Sequence, residues 1–131
     1  MSNNIINLHL ISDSTGETLS SVARAVLSQF ENVDSQDFIW PLIRTHSQIE
    51  KVKESITQNP GIVLYTIVQS ELIEEIQRHC SQLQLPCVAI LSPIISVFSN
   101  YLGMKVSNVI GRQHLLDEEY FSRVEAINYS M

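Results

Sequence analysis

Apolar runs alternate with amphipathic ones along this chain at the spacing of βα units. The first run, Ile5 to Ile11, predicts a strand. Behind it Leu19, Val22, Ala23, Val26, Leu27 and Phe30 recur at steps of three and four, the single apolar stripe of a helix from about Thr15 to Phe30. Phe38 to Ile43 reads as the second strand, and Pro41 within it lacks the N–H of a ladder bond, which places that strand at a sheet edge. The next helix opens with Ser47 and Glu50 spaced as a capping box and is stopped by Asn59-Pro60-Gly61. Ile62 to Val68 is almost continuously apolar, as a central strand covered on both faces requires. Ser70 then caps a helix with Leu72, Ile73, Ile76, Cys80 and Leu83 on one side, Cys87 to Leu91 forms the fourth strand, and Ser92-Pro93 starts a short helix that Gly103 can end.

Such a pattern specifies an α/β domain: an open, mainly parallel four-stranded sheet of order 2-1-3-4 flanked by helices, Rossmann- or flavodoxin-like. After Gly103 the periodicity lapses, until Asp117 stands as the cap of a last helix with Tyr120, Phe121, Val124 and Ile127 in a stripe. Ending at Asn128-Tyr129-Ser130-Met131, the chain reads as interrupted rather than finished. The expected organisation is therefore one domain over residues 1–131, with 117–131 a terminal helix leading toward a further domain or used for self-association as a homodimer.

Composition narrows the function. With 131 residues, 44% of them hydrophobic, the chain is long enough for an independent core. Fourteen acidic against eight basic residues, a formal charge of −6 and no Lys/Arg cluster argue against nucleic acid as a partner. No apolar stretch approaches the roughly 20 residues that span a bilayer, and Met1-Ser2-Asn3-Asn4 lacks the basic start of a signal peptide, so the reading is cytoplasmic with no membrane partner. Cys80 and Cys87 read as two buried, reduced thiols, and with His79 they lack the paired spacings of a zinc site, so no metal centre is expected.

Chemistry concentrates in Ser12-Asp13-Ser14-Thr15-Gly16-Glu17-Thr18, a strand-to-helix turn made of hydroxyls, carboxylates and a glycine. A helix N-terminus presents unsatisfied N–H groups and partial positive charge to an anion, and small side chains let a ligand approach the backbone. A second reading is structural: Ser14 with Glu17 is a capping box, which by itself selects much of the same composition. In an open parallel sheet ligands bind beyond the carboxyl ends of the strands. That rim supplies the candidate phosphate-binding residues Ser12, Asp13, Ser14, Thr15, Gly16, Thr18, Arg44, Thr45 and Thr66, with Arg44 the nearest cation and Mg²⁺ a candidate counter-ion to Asp13. No glycine-rich loop ending in Lys-Ser or Lys-Thr is present, nor the acidic set of a receiver domain. The turn is similar to the phosphate loop of flavodoxins, although Val68-Gln69-Ser70 and Ser92-Pro93 offer no aromatic side chain to flank a flavin.

The opening His9-Leu10-Ile11-Ser12-Asp13-Ser14-Thr15-Gly16-Glu17-Thr18, with Gln29-Phe30, resembles the start of the regulatory proteins of pyruvate, phosphate dikinase and of phosphoenolpyruvate synthetase. At the far end Gly111, His114, Leu116-Asp117 and Tyr120 to Ile127 are similar to that family's segment leading into a second domain, and Arg44-Thr45 and Tyr65-Thr66 match the strand ends between. Ile110 departs from it, standing where proline is expected. The resemblance implies the N-terminal domain of a bifunctional enzyme: an ADP-dependent serine/threonine kinase that inactivates the dikinase or synthetase by threonine phosphorylation, and a phosphate-dependent phosphorylase that reverses it. ADP and phosphate are the implied cofactors. The family's phosphate-cradling loop would lie in the C-terminal domain, so no catalytic residue is assigned to this chain and the chain alone is expected to be inactive. A stand-alone flavodoxin-like module binding phosphate or a nucleotide is the alternative.

Overall fold

The computed structural model describes residues 4–106. Strands β1 (Asn4–Ile11), β2 (Val33–Trp40), β3 (Ile62–Tyr65) and β4 (Cys87–Ala89) alternate with helices α1 (Glu17–Leu27), α2 (His46–Gln58), α3 (Ser70–Gln82) and α4 (Ser92–Leu102). Every pairing is parallel and the order is β2-β1-β3-β4, as the alternation of the sequence predicts. The terminal helix expected over 117–131, and Ile110 with Gly111, lie outside the described residues.

Strand β1 is central because Leu8 to Ile11 pair on one side with Asp37 to Trp40 and on the other with Ile62 to Tyr65. Alternation then sorts its side chains between two cores. Leu8 and Leu10 join Leu19 and Ala23 of α1 on one face, with Leu27, Ile62, Leu64 and Ile90 at the margin. On the other face Ile11 joins Ile49, Val52 and Ile56 of α2, Val63 and Tyr65 of β3, and Leu72, Ile76 and Cys80 of α3. Each such Leu or Ile contributes about 1.5–3 kcal/mol by leaving water.

His9, on the β1 face turned toward α2, is wholly buried and yet fully engaged. Its ring stacks on Phe38 with centroids 4.7 Å apart, its Nε2 lies 2.9 Å from the Asn59 carbonyl oxygen, and Trp40 Nε1 donates to its Nδ1 at 3.4 Å. Those partners require the neutral Nε2–H tautomer, because Nδ1 must accept. Burial pushes the His9 pKa down, against the smaller upward pull of the Asn59 carbonyl.

Several element boundaries differ from the sequence pattern. Strand β2 begins at Val33 and stops at Trp40, so Pro41 lies just past it; the strand is at an edge, but proline is not the cause. Its first half, Val33-Asp34-Ser35-Gln36-Asp37, hides from a hydrophobic criterion because its exposed positions are polar, and Arg24 of α1 binds Asp37 at 2.6 Å and Ser35 at 2.9 Å there. Helix α2 is capped by Thr45, in reciprocal bonds with Gln48, rather than by Ser47 with Glu50. Strand β3 ends at Tyr65 and β4 at Ala89, and Gln69, not Ser70, is the N-cap of α3. Gly103 ends α4 in the left-handed region at φ 64°, as expected.

Candidate functional site

Strand order reverses beside β1, whose successor β2 lies on one side and β3 on the other. The segment Ser12–Gly16 leaves β1 at this switch point, where open α/β sheets bind ligands. Its backbone is held on the β2 side. Ser12 N donates to the Trp40 carbonyl at 3.0 Å, Leu42 N to the Ser14 carbonyl at 2.9 Å, and Ile43 N to the Ser12 carbonyl at 2.9 Å. Leu42 adopts φ 57° to do so.

The nine residues expected at the rim separate into groups with different tasks. Ser12, Ser14 and Thr66 are buried and bonded to one another: Thr66 Oγ1 donates to Ser12 Oγ at 3.2 Å, Ser14 N donates to Ser12 Oγ at 3.0 Å, and the two serine hydroxyls share a bond at 3.3 Å. Asp13 is wholly buried, and its Oδ2 accepts from Val68 N at 3.2 Å, so its carboxylate ties the β1 turn to the segment leaving β3. The Arg44 guanidinium grips the same residue from the opposite side, donating from Nε at 3.1 Å and Nη2 at 3.0 Å to the Asp13 carbonyl oxygen. Arg44 forms no ion pair with a carboxylate among the described residues. Thr45 caps α2, its hydroxyl accepting from Gln48 N.

Thr15 is exposed and Thr18 partly so, while Gly16 between them is buried. With Glu17, Ser20, Ser21, Val22 and Ile39 they line a shallow cavity of about 630 Å³ between α1 and the exposed face of β2. The N-cap of α1 is Gly16, at φ 84°, so the capping box expected from Ser14 and Glu17 does not form. A glycine N-cap puts no side chain over the first turn, and the left-handed backbone there is strained for any residue with a Cβ. The cavity's wall is therefore hydroxyl-bearing, with one carboxylate, Glu17, opposed to an anion. Ser20 and Ser21 were not among the expected residues; with the helix start at Glu17, Ser21 shares a face with Thr18 three positions before it, whereas no spacing signal marks Ser20.

Further round the rim His46, first residue of α2, binds Glu75 of α3 through Nδ1 at 2.6 Å and approaches Glu71 at 3.5 Å. The hydrogen bond to Glu75, with its charge, raises the His46 pKa. His79 reaches Thr57 Oγ1 and the Lys53 carbonyl from its Nε2 at 2.8 and 3.0 Å, a second clasp between α2 and α3.

Comparison with known proteins places the chain in one family. A sequence model of the kinase/pyrophosphorylase family matches residues 8–131. A pyruvate, phosphate dikinase regulatory protein of Chelativorans sp. (strain BNC1) is 48% identical over 125 residues, 95% of this chain and 46% of the relative. Proteins of the same name from Sinorhizobium medicae (strain WSM419) and Bradyrhizobium sp. (strain ORS 278) are 47% and 42% identical, each over 128 residues and 98% of this chain, covering 47% and 46% of the relatives. The chain thus spans just under half the length of these curated relatives. On a match that begins within β1 and runs through the whole described sheet, the chain belongs to the kinase/pyrophosphorylase family.

Proposed function

We propose that this chain is the N-terminal half of a cytoplasmic regulator that controls pyruvate, phosphate dikinase, or the related phosphoenolpyruvate synthetase, by reversible threonine phosphorylation. In this reading an ADP-dependent kinase reaction inactivates the target and a phosphate-dependent phosphorylase reaction restores it. The observation that carries it is the family match over 8–131, which includes the entire switch-point turn.

The role we assign to the turn is to hold a phosphate-bearing group over the start of α1. The first-turn amides supply N–H donors there, Thr15 and Thr18 supply hydroxyls, and Arg44 supplies positive charge from the flank. Ser12, Ser14 and Thr66 act from behind: bonded to each other, they keep the turn's backbone in one arrangement. Asp13 and Glu17 oppose a bare anion, so Mg²⁺ would join the phosphate at this place, and affinity for inorganic phosphate alone is in the millimolar range, about −4 kcal/mol.

Transfer of phosphate from ADP to a phosphorylated dikinase, followed by radiolabel, tests the reading. The full-length protein should carry it out and residues 1–131 alone should not, because their sequence holds no glycine-rich loop ending in Lys-Ser or Lys-Thr to neutralise a transferring phosphoryl group. Inactivity of the full-length protein on both dikinase and synthetase would reject the regulator, and a yellow, flavin-loaded protein would favour a flavodoxin-like binding module instead.

A further inference from the structure

Between Arg78 and Lys105 the sequence holds no Asp, Glu, Lys or Arg, in a chain 17% of whose residues are charged. This stretch builds the end of α3, the edge strand β4 and the whole of α4. Solvated surface of that extent carries charge, whereas the centre of a surface that meets a protein partner is depleted of it.

Helix α4 is where the stretch is left uncovered. Its Ile94, Val97, Phe98, Tyr101 and Leu102 stand at i, i+3, i+4, i+7 and i+8, the apolar stripe of a helix that faces a core. Yet α4 has no buried residue and enters neither core cluster, and the stripe is exposed, from 55% at Ile94 to 90% at Tyr101. Past Gly103 the chain is hooked back onto the helix: Met104 N donates to the Ser99 carbonyl at 3.2 Å, and Ser99 Oγ donates to the Met104 carbonyl at 2.6 Å. Met104 and Val106 thereby join Ile94, Ile95, Phe98 and Leu102 around a groove of about 390 Å³, whose one charged lining residue is Lys105.

We infer that this groove is a docking site for the chain's own segment 117–131, whose stripe of Tyr120, Phe121, Val124 and Ile127 lies along α4. Two apolar stripes of one chain each need a cover, and each has the spacing to cover the other. The chain leaves the groove at Val106, and only residues 107–116 separate it from Asp117. Ten residues reach at most roughly 33 Å, twice the roughly 16 Å length of α4, so the segment can return along the entire helix. A tether of that length sets an effective concentration on the order of millimolar, an advantage that a second copy recruited from dilute solution lacks. Charge fixes the direction. With the segment antiparallel to α4, its acidic start Asp117-Glu118-Glu119 comes to the end of the groove that holds Lys105. This contact is independent of the activity proposed above.

Amide hydrogen exchange on the whole 131-residue chain, with sedimentation to establish its mass, tests this. The expected result is a monomer in which the amides of residues 120–127 are protected equally at low and high protein concentration. Phe98→Glu, on a helix that enters neither core, should quicken their exchange about tenfold or more while β3 keeps its protection. Val124→Glu, made on the other side of the contact, should quicken the same amides and also those of Ile94 to Leu102, and it decides alone if Phe98→Glu unprotects β3 as well. Unprotected amides at 120–127 in wild type, protection there that survives Phe98→Glu, or α4 amides unmoved by Val124→Glu would each overturn the assignment. Protection that appears only with dimerisation would overturn it too, and would give the groove to a second copy.

Discussion

Arg44 clamps the main-chain carbonyl of Asp13 with two N–H groups, at 3.1 and 3.0 Å, and so ties the segment before α2 to the turn that leaves β1. The side chain proposed to attract a phosphate therefore also holds the turn at which phosphate is proposed to bind. Arg44→Lys keeps the charge but cannot place two N–H groups on one oxygen in the same plane.

Arg44→Ala is expected to lower stability by about 1.5–3 kcal/mol, the usual range for hydrogen bonds to a charged group. Arg44→Lys should recover part of any phosphate affinity while leaving most of the stability loss. Phosphate titration followed by the amide shifts of Thr15 to Glu17, alongside urea unfolding, separates these two effects. Equal phosphate shifts in wild type and Arg44→Ala would remove Arg44 from the binding role.

Thr66→Val replaces the hydroxyl that donates to Ser12 Oγ with a methyl group of similar size. The serine pair loses a partner inside the fold, and a loss of about 1–3 kcal/mol is expected. Denaturant unfolding gives the value, and near-unchanged stability would mean that the buried hydroxyls are not what holds the turn.

The cap of α2 separates two neighbouring residues. Thr45→Ala should cost about 1 kcal/mol through the lost cap, while Ser47→Ala should cost almost nothing, since Thr45 and not Ser47 bonds the first-turn amide. Thermal melts of the two variants decide this, and a larger loss for Ser47→Ala would contradict the observed cap.

Gly61 is expected to tolerate no side chain, because a Cβ there would lie 2.0 Å from the Asn7 carbonyl oxygen. Gly61→Ala must push β3 away from β1, with a loss on the order of 3 kcal/mol or failure to fold. Soluble expression and a melting temperature equal to wild type would refute this close approach of backbone.

His9 and His46 respond to pH in opposite directions. The lowered pKa of His9 means that the native state binds its proton less readily than the unfolded chain. Its contribution is complete above the unfolded value of about 6.5, and is lost as pH falls through that value toward the lowered one. The raised pKa of His46 gives a contribution complete below its unfolded value and lost as pH rises through the folded one; because the residue is fully exposed the effect is small. Urea midpoints measured from mildly acidic to mildly alkaline pH should fall on the acid side in wild type and less so in His9→Gln. An unchanged acid-side slope in that variant would sink the assignment to His9.

The alternation of apolar and amphipathic runs predicted the order of elements by itself, and βα connections then dictate parallel order, although of the apolar run Ile62 to Val68 only Ile62 to Tyr65 is strand. Composition alone also marked the Ser12 to Thr18 turn. Which of its hydroxyls face solvent was decided only by tertiary structure: Thr66 and Ser12 are 54 positions apart and meet because β3 pairs with β1, which closes Ser12, Ser14 and Thr66 on one another and leaves the hydroxyls of Thr15 and Thr18 outside that cluster. The same holds for β2, whose polar first half carries no periodic signal and is a strand because β1 offers it a ladder of hydrogen bonds and Arg24 a partner for Asp37. Local pattern records burial, so it is silent wherever a residue's place depends on a partner distant in the chain; long-range pairing alone supplies that partner.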